Sequence, residues 1–204
     1  DRYRRVDDRV HPMALLPLLD VEEARRELRR AVKDLGLPGG MFPTVGLPLH
    51  PGHDYYWPVY QEAADLDCVL AFHGTATNGY GMDSFTNFNA LAGLHHSIPL
   101  MISLASMLGH GVLDRFPNLR VGFFEGGAAW IVTLLDRMER TEEFFIGAGQ
   151  GGGAQLPLSG YMRRGQVLIG CEGNDPSLPH LVQRVGASGF AWASDYPHEV
   201  DLAA

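Results

Sequence analysis

The chain has 204 residues, of which 46% are hydrophobic and 20% charged, and its formal net charge at pH 7 is −8. This length and composition fit one well-cored globular domain, and the negative charge argues against an extended surface for nucleic acid. With only two cysteines, no recognisable signal peptide and apolar runs too short to cross a bilayer, we expect a cytoplasmic protein without a membrane partner.

Short apolar runs alternate with helical patterns along the chain. Asp20 fits the N-cap of the first helix, and Gly36 is its expected stop. In chain order we predict a strand at 13–16, a helix at 20–35, a strand at 39–42, a helix at 55–66, a strand at 68–73, a helix at 99–108, a strand at 120–125, a helix at 128–144, a strand at 166–172, a helix at 176–185 and a strand at 189–194. Strands separated by helices predict a parallel α/β sheet with right-handed crossovers.

Two architectures have this alternation: an open doubly wound sheet and a closed barrel. A doubly wound nucleotide-binding sheet would have a glycine-rich turn after its first strand, whereas residues 17–20 read PLLD. The glycine-rich tract at 147–153 follows a helix, so we interpret it as a connector and not as a phosphate-binding loop. The sequence therefore favours the barrel.

Three apolar strands end in residues that can bind a metal or move protons. These residues are His73, Glu125 and Asp195, and the strands of a parallel barrel deliver such groups to its mouth. Each has a simpler alternative: His73 can sit at the strand end for hydrogen bonding alone, Asp195 can cap the turn that follows it, and Glu125 can contact the N-terminus of the next helix. Glu172 ends its own strand and is a weaker candidate of the same kind.

Other reactive side chains have ordinary structural explanations. Cys68 and Cys171 lie in predicted strands, where a thiol usually behaves as a small hydrophobe; a nucleophilic cysteine is the alternative. The remaining histidines near turns and helix starts are more often surface or packing residues than ligands. They are His50, His53, His95 and His96.

Four sequence blocks, in their order and spacing, resemble a known family. The blocks are 71–74 (AFHG), 111–121 (GVLDRFPNLRV), 124–130 (FEGGAAW) and 192–198 (WASDYPH). With them, the chain resembles the amidohydrolase-2 branch of the metal-dependent amidohydrolase superfamily. That branch includes aminocarboxymuconate-semialdehyde decarboxylase and related aromatic-acid decarboxylases, and the resemblance covers nearly the whole chain.

The resemblance implies a (β/α)8 TIM barrel with a divalent metal, zinc or else manganese, at the carboxyl ends of the strands. It implies that His73 is the metal ligand at the end of the fifth barrel strand and Asp195 the ligand at the end of the eighth. Glu125 then falls at the end of the sixth strand, where decarboxylases of this branch often carry a catalytic histidine. The first strand of the family ends in His-x-His, which this sequence lacks. We therefore expect residues 1–204 to be one barrel domain that is incomplete at both ends.

The resemblance predicts a metal-dependent hydrolase or decarboxylase of a small carboxylated or cyclic substrate, and family likeness suggests a homodimer. Asp195 and Glu125 are the expected catalytic residues, and His73 and Asp195 the metal ligands. His198, Glu172 and His50 are expected to contact the substrate. The alternative is a non-catalytic, metal-poor barrel relative that binds a ligand or a partner, which the missing His-x-His supports.

Overall fold

A computed structural model of the chain describes residues 7–147 and 153–196. The described strands form one parallel sheet in the order β1-β2-β3-β4-β5-β6. The strands are β1 (Ala14–Leu15), β2 (Gly39–Pro43), β3 (Val69–His73), β4 (Arg120–Phe123), β5 (Val167–Cys171) and β6 (Phe190–Trp192). Every predicted strand is confirmed, with ends displaced by a few residues at most.

Helices connect successive strands, as predicted. They are α1 (Val21–Lys33), α2 (Trp57–Asp65), α3 (Phe88–Ala92), α4 (Ser97–Gly109), α5 (Val112–Arg115), α6 (Trp130–Gly147), α7 (Leu158–Arg163) and α8 (Leu178–Val185). The predicted N-cap of α1 is confirmed, because the Asp20 carboxylate accepts the backbone N–H groups of Glu22 and Glu23. The short helices α3, α5 and α7 were not predicted, and the predicted connector at 147–153 lies mostly outside the described residues.

The strand order decides between the two architectures. A doubly wound sheet reverses its order at a switch point, whereas here each strand pairs with the next strand in the sequence. Right-handed crossovers in one direction place all the connecting helices on the same face of the sheet. This is the arrangement of a barrel wall, and β1 and β6 are the two edges of its described part.

The main core lies between the sheet and the helices. Phe42, Phe72 and Phe123 share one register across β2, β3 and β4. Their rings stack in succession, with centroids 4.7 and 4.8 Å apart, and Tyr60 of α2 stacks on Phe42 at 5.7 Å. All four side chains are fully buried, so this aromatic layer fixes the strands against their helices.

The opposite face of the sheet carries small residues where β4 and β5 meet. The ring of Phe124 lies across Gly122 and Gly170: a Cβ at Gly122 would come within 2.5 Å of the ring, and one at Gly170 within 3.1 Å. Glycine at these two positions lets the ring lie against the sheet without having to shift. Phe124 therefore forms an aromatic surface on the side of the sheet that would be the barrel interior.

The stretch Phe88–Gly109 corrects one expectation from the sequence. Its 22 residues are long and apolar enough, by length and composition, to cross a membrane, although we expected no such run. The structure divides it into α3 and α4, and Leu100 and Leu104 of α4 are fully buried in the core. One such stretch is weak evidence for a membrane, because a core helix passes the same test.

Candidate active site

His73 is the last residue of β3, and its backbone is held from the neighbouring strand. The Thr44 backbone N–H donates to the His73 carbonyl at 3.2 Å, and the Thr44 hydroxyl donates to the Gly74 carbonyl at 3.3 Å. Gly74 has a φ of 140°, which side-chain-bearing residues rarely adopt, so the chain turns away directly after the histidine. The imidazole is thereby left at the carboxyl edge of the sheet.

Glu125 lies in the turn that follows β4, and hydrogen bonds hold this turn at both ends. The Phe124 N–H donates to the Phe72 carbonyl at 3.0 Å, which extends the ladder one residue beyond the strand. Asp175, in the loop between β5 and α8, accepts the Ala128 backbone N–H. The alternative in which Glu125 binds the backbone at the start of the next helix is therefore not what the structure shows, because Asp175 takes that place.

The Glu125 carboxylate instead faces two imidazoles. Its Oε2 is in direct contact with His73 Nε2 and lies 3.9 Å from His96 Nδ1. Burial lowers the pKa of the His96 imidazole, and the carboxylate of Glu125 opposes that shift. The structure thus brings together two residues that were predicted for the site and a third, His96, that was assigned to packing.

One sequence signal could have identified His96. It directly precedes α4, at the end of the loop that starts from the His73 strand. Residues in such strand-to-helix loops lie on the carboxyl side of a barrel, where active sites form. The ring of the adjacent His95 lies edge-on to that of His96, with centroids 4.2 Å apart.

A cavity of about 360 Å³ opens at the carboxyl ends of four successive strands. Phe124 is part of its wall, and three carboxylates and an imidazole share it. The lining residues are His73, Phe124, Glu125, Gly127, Gly170, Cys171, Glu172, Ala193, Asp195 and Tyr196. Among these described lining residues there is no lysine or arginine. The predicted candidates His73, Glu125, Glu172 and Asp195 therefore line a single, strongly acidic cavity.

Two residues that were predicted to contact the substrate, His50 and His198, are not among the described residues that line this cavity. His50 lines a second cavity of about 360 Å³ together with His53, Tyr80 and His110. It does not line the cavity that contains His73. His198 lies outside the described residues. Substrate contact by either histidine stays a prediction.

The side chains at the first cavity are of the types that bind a divalent metal, but too few of them lie together to form a complete site. Imidazole and carboxylate groups are ligands of zinc and manganese, and the cavity is lined by one imidazole and three carboxylates. Over residues 7–147 and 153–196, however, no group of three or more His, Cys, Asp or Glu side chains could hold a metal ion. His73 and Asp195 would need at least one further ligand for an ordinary catalytic site.

The two thiols do not have the properties of nucleophiles. Burial raises the pKa of the Cys68 thiol to about 11, and burial also raises the pKa of Cys171. Because the thiolate is the reactive form, both cysteines are nearly fully protonated at neutral pH. This agrees with their interpretation as small buried hydrophobes.

Comparison with known proteins gives a family match over almost the whole chain. The model described as Amidohydrolase matches residues 2–202. The 2-amino-3-carboxymuconate-6-semialdehyde decarboxylase of Dictyostelium discoideum is 27% identical over 183 residues, which are 89% of this chain and 49% of that protein. The gamma-resorcylate decarboxylase of a Polaromonas species is 23% identical over 209 residues, which are 96% of this chain and 63% of that protein. The chain thus spans less than two thirds of the length of either relative.

Solved structures show the same fold. The 5-carboxyvanillate decarboxylase of Sphingomonas paucimobilis superposes with a TM-score of 0.78 at 22% identity, covering 96% of this chain and 59% of that one. The enzyme of the same activity from Novosphingobium aromaticivorans, in complex with manganese and 4-hydroxy-3-methoxy-5-nitrobenzoic acid, has a TM-score of 0.77 at 20% identity, covering 95% and 56%. These likenesses confirm the TIM-barrel fold, of which the six described strands form a continuous part.

Proposed function

Because this chain belongs to the amidohydrolase family, we propose that its protein is a metal-dependent enzyme that removes the carboxyl group of a small cyclic acid. The observation that carries the proposal is the cavity at the strand ends, where His73, Glu125, Glu172 and Asp195 meet beside the ring of Phe124. The two curated relatives described above are decarboxylases of small carboxylated compounds.

The negative charge of the cavity is an argument for a bound metal cation. A carboxylated substrate would enter a space lined by Glu125, Glu172 and Asp195, with no lysine or arginine among its described lining residues. Repulsion between like charges opposes this unless a cation is present. A divalent metal held by His73 and Asp195, with ligands from outside the described residues, would supply that charge and polarise a substrate oxygen.

The protein side chains would bind the substrate and supply a proton. In a decarboxylation the bond from the ring carbon to the carboxyl group breaks, CO₂ leaves, and the ring carbon takes up a proton with the electron pair that remains. Glu125 stands beside His73 in the cavity wall, where its carboxyl group, once it has taken up a proton from solvent, can deliver that proton to the ring carbon. The flat ring of Phe124 gives a planar substrate a surface on which to stack.

The test uses the full-length protein, stripped of metal by a chelator and reloaded with Mn²⁺ or Zn²⁺. Release of CO₂ from 2,6-dihydroxybenzoate and 5-carboxyvanillate is measured, together with hydrolysis of esters and amides of the same acids. We expect metal-dependent decarboxylation that falls by roughly 100-fold or more in His73→Ala and in Asp195→Ala. His180→Ala, on the outer helix α8, is the matched control and should keep full activity.

One observation favours a second candidate, a non-catalytic barrel that binds a ligand or a partner. The described residues contain no complete three-ligand site. A full-length protein that folds, binds no metal at stoichiometric level and turns over none of these compounds would favour this second function. Metal-dependent hydrolysis without decarboxylation would keep the metal centre and replace the proposed reaction.

A further inference from the structure

We propose that His96 is a positioning residue that holds the carboxylate of Glu125 in place at the cavity. The inference rests on the proposed function, since it concerns the same cavity. It adds a residue from the start of α4, outside the four sequence blocks and the strand ends from which the site was predicted.

The first observation is a pair of buried polar atoms that face each other. His96 Nδ1 is buried and lacks a hydrogen-bond partner, and it lies 3.9 Å from Glu125 Oε2, the atom that contacts His73 Nε2. Buried polar groups in folded proteins are almost always hydrogen-bonded. A small rotation of either side chain would bring these atoms within hydrogen-bond distance, and a proton on Nδ1 would then give His96 the partner that it lacks.

The second observation is that the backbone at His96 is anchored. The Ala76 N–H donates to the carbonyl of the adjacent His95 at 2.9 Å. The start of α4 is thus tied to the chain that follows β3. Leu100 of the same helix packs against the turn after Glu125, since a Cβ at Gly126 would come within 2.6 Å of its side chain.

The third observation is a competition for one atom of His73. Its Nε2 contacts Glu125 Oε2 in the structure. If His73 Nε2 were bound to a metal, its lone pair would be used in that bond. Glu125 would then lose its contact with Nε2. His96 Nδ1 is then the nearest buried imidazole nitrogen that the structure shows at Glu125. With a metal on His73, the orientation of Glu125 would then fall to His96.

The test has two arms on the full-length protein. In the first, His96→Ala should lower kcat by roughly 10- to 100-fold with KM changed less than about threefold, as expected for a lost outer-sphere contact. His96→Asn, whose amide lies near the position of Nδ1, should have a kcat about tenfold higher than that of His96→Ala. Metal content should be unchanged in both variants. Equal losses in the two variants, or loss of the bound metal, would overturn the proposal.

The second arm does not need activity. The unfolding midpoints of His96→Ala, Glu125→Ala and the double variant form a cycle, and coupled residues give a shift in the double variant smaller than the sum of the two single shifts. His110→Ala, at the other end of α4, is the control and should be additive with Glu125→Ala. Additivity for His96 would overturn the positioning role even in an active enzyme. Coupling without any turnover would instead mean that the proposed reaction, and not the contact, is wrong.

Discussion

Two acidic residues of the cavity adopt backbone conformations that are unusual for them. Glu125 has a φ of 67° and Asp195 a φ of 52°, both in the left-handed region that favours glycine. Two of the residues that line the same cavity are therefore held against a local conformational cost, which is common at functional sites. The strain has a clear source at Glu125, because its turn is bound by Phe72 on one side and by Asp175 on the other.

The strain at Glu125 predicts an inverted order of stability for two variants. Glu125→Ala and Glu125→Gly both remove the carboxylate and its contact with His73, but only glycine adopts a φ of 67° without steric cost. We expect Glu125→Gly to exceed Glu125→Ala in free energy of unfolding by about 1 kcal/mol, measured by urea denaturation. In a helix or strand of ordinary φ the order is the reverse. A more stable alanine variant would show that the turn is not left-handed in solution.

At the scale of secondary-structure elements, the sequence predicted what periodicity can reveal. The strands were found because each is an apolar run between turn signals, and α1 because Asp20 marks its start. The helices α5 and α7 have four and six residues, which is too short for a helical period to show. His96 was missed for a different reason: its importance depends on Glu125, which belongs to another element and comes near only after folding.

A charged residue at the interface of α1 and α2 carries the next prediction. The Glu62 side chain of α2 is only 3% exposed, and its Oε2 accepts from Arg29 at 3.0 Å and lies 3.5 Å from Arg25. Both arginines reach across from α1. A buried carboxylate with two cationic partners contributes more than an exposed pair, because removing it leaves partly desolvated guanidinium groups without an anion.

We expect Glu62→Gln to lower the free energy of unfolding by about 1–3 kcal/mol in urea denaturation. This loss of stability is smaller than the loss expected when one partner of a fully buried ion pair is removed, because both arginines can still be hydrated. The matched control is Glu23→Gln, which breaks the exposed pair with Arg26 on α1 and should cost about 0.5 kcal/mol or less. Equal effects of the two substitutions would mean that Glu62 does not bind the helices together.

At the scale of the whole molecule, the sequence predicted the barrel fold, but the strands that would close the barrel are not among the described ones. The strand order and the superposed structures place β1 to β6 as consecutive parts of a barrel wall. Among the described residues, β1 pairs only with β2, and β6 only with β5. The predicted metal ligands are incomplete in the same way: His73 and Asp195 share a cavity but do not form a complete ligand set within the described residues.

The two sheet edges predict how a polypeptide of these 204 residues behaves by itself. Leu15 on β1 is 81% exposed and Trp192 on β6 is 71% exposed, and an open strand edge with exposed apolar side chains is a template for pairing with another chain. We expect concentration-dependent self-association in sedimentation velocity, weakened by Leu15→Lys and by Trp192→Lys because a buried charge opposes strand pairing. Leu19→Lys is the control, since Leu19 is 73% exposed but lies in the turn before α1. If all three substitutions act equally, the association depends on general surface hydrophobicity and not on the open edges.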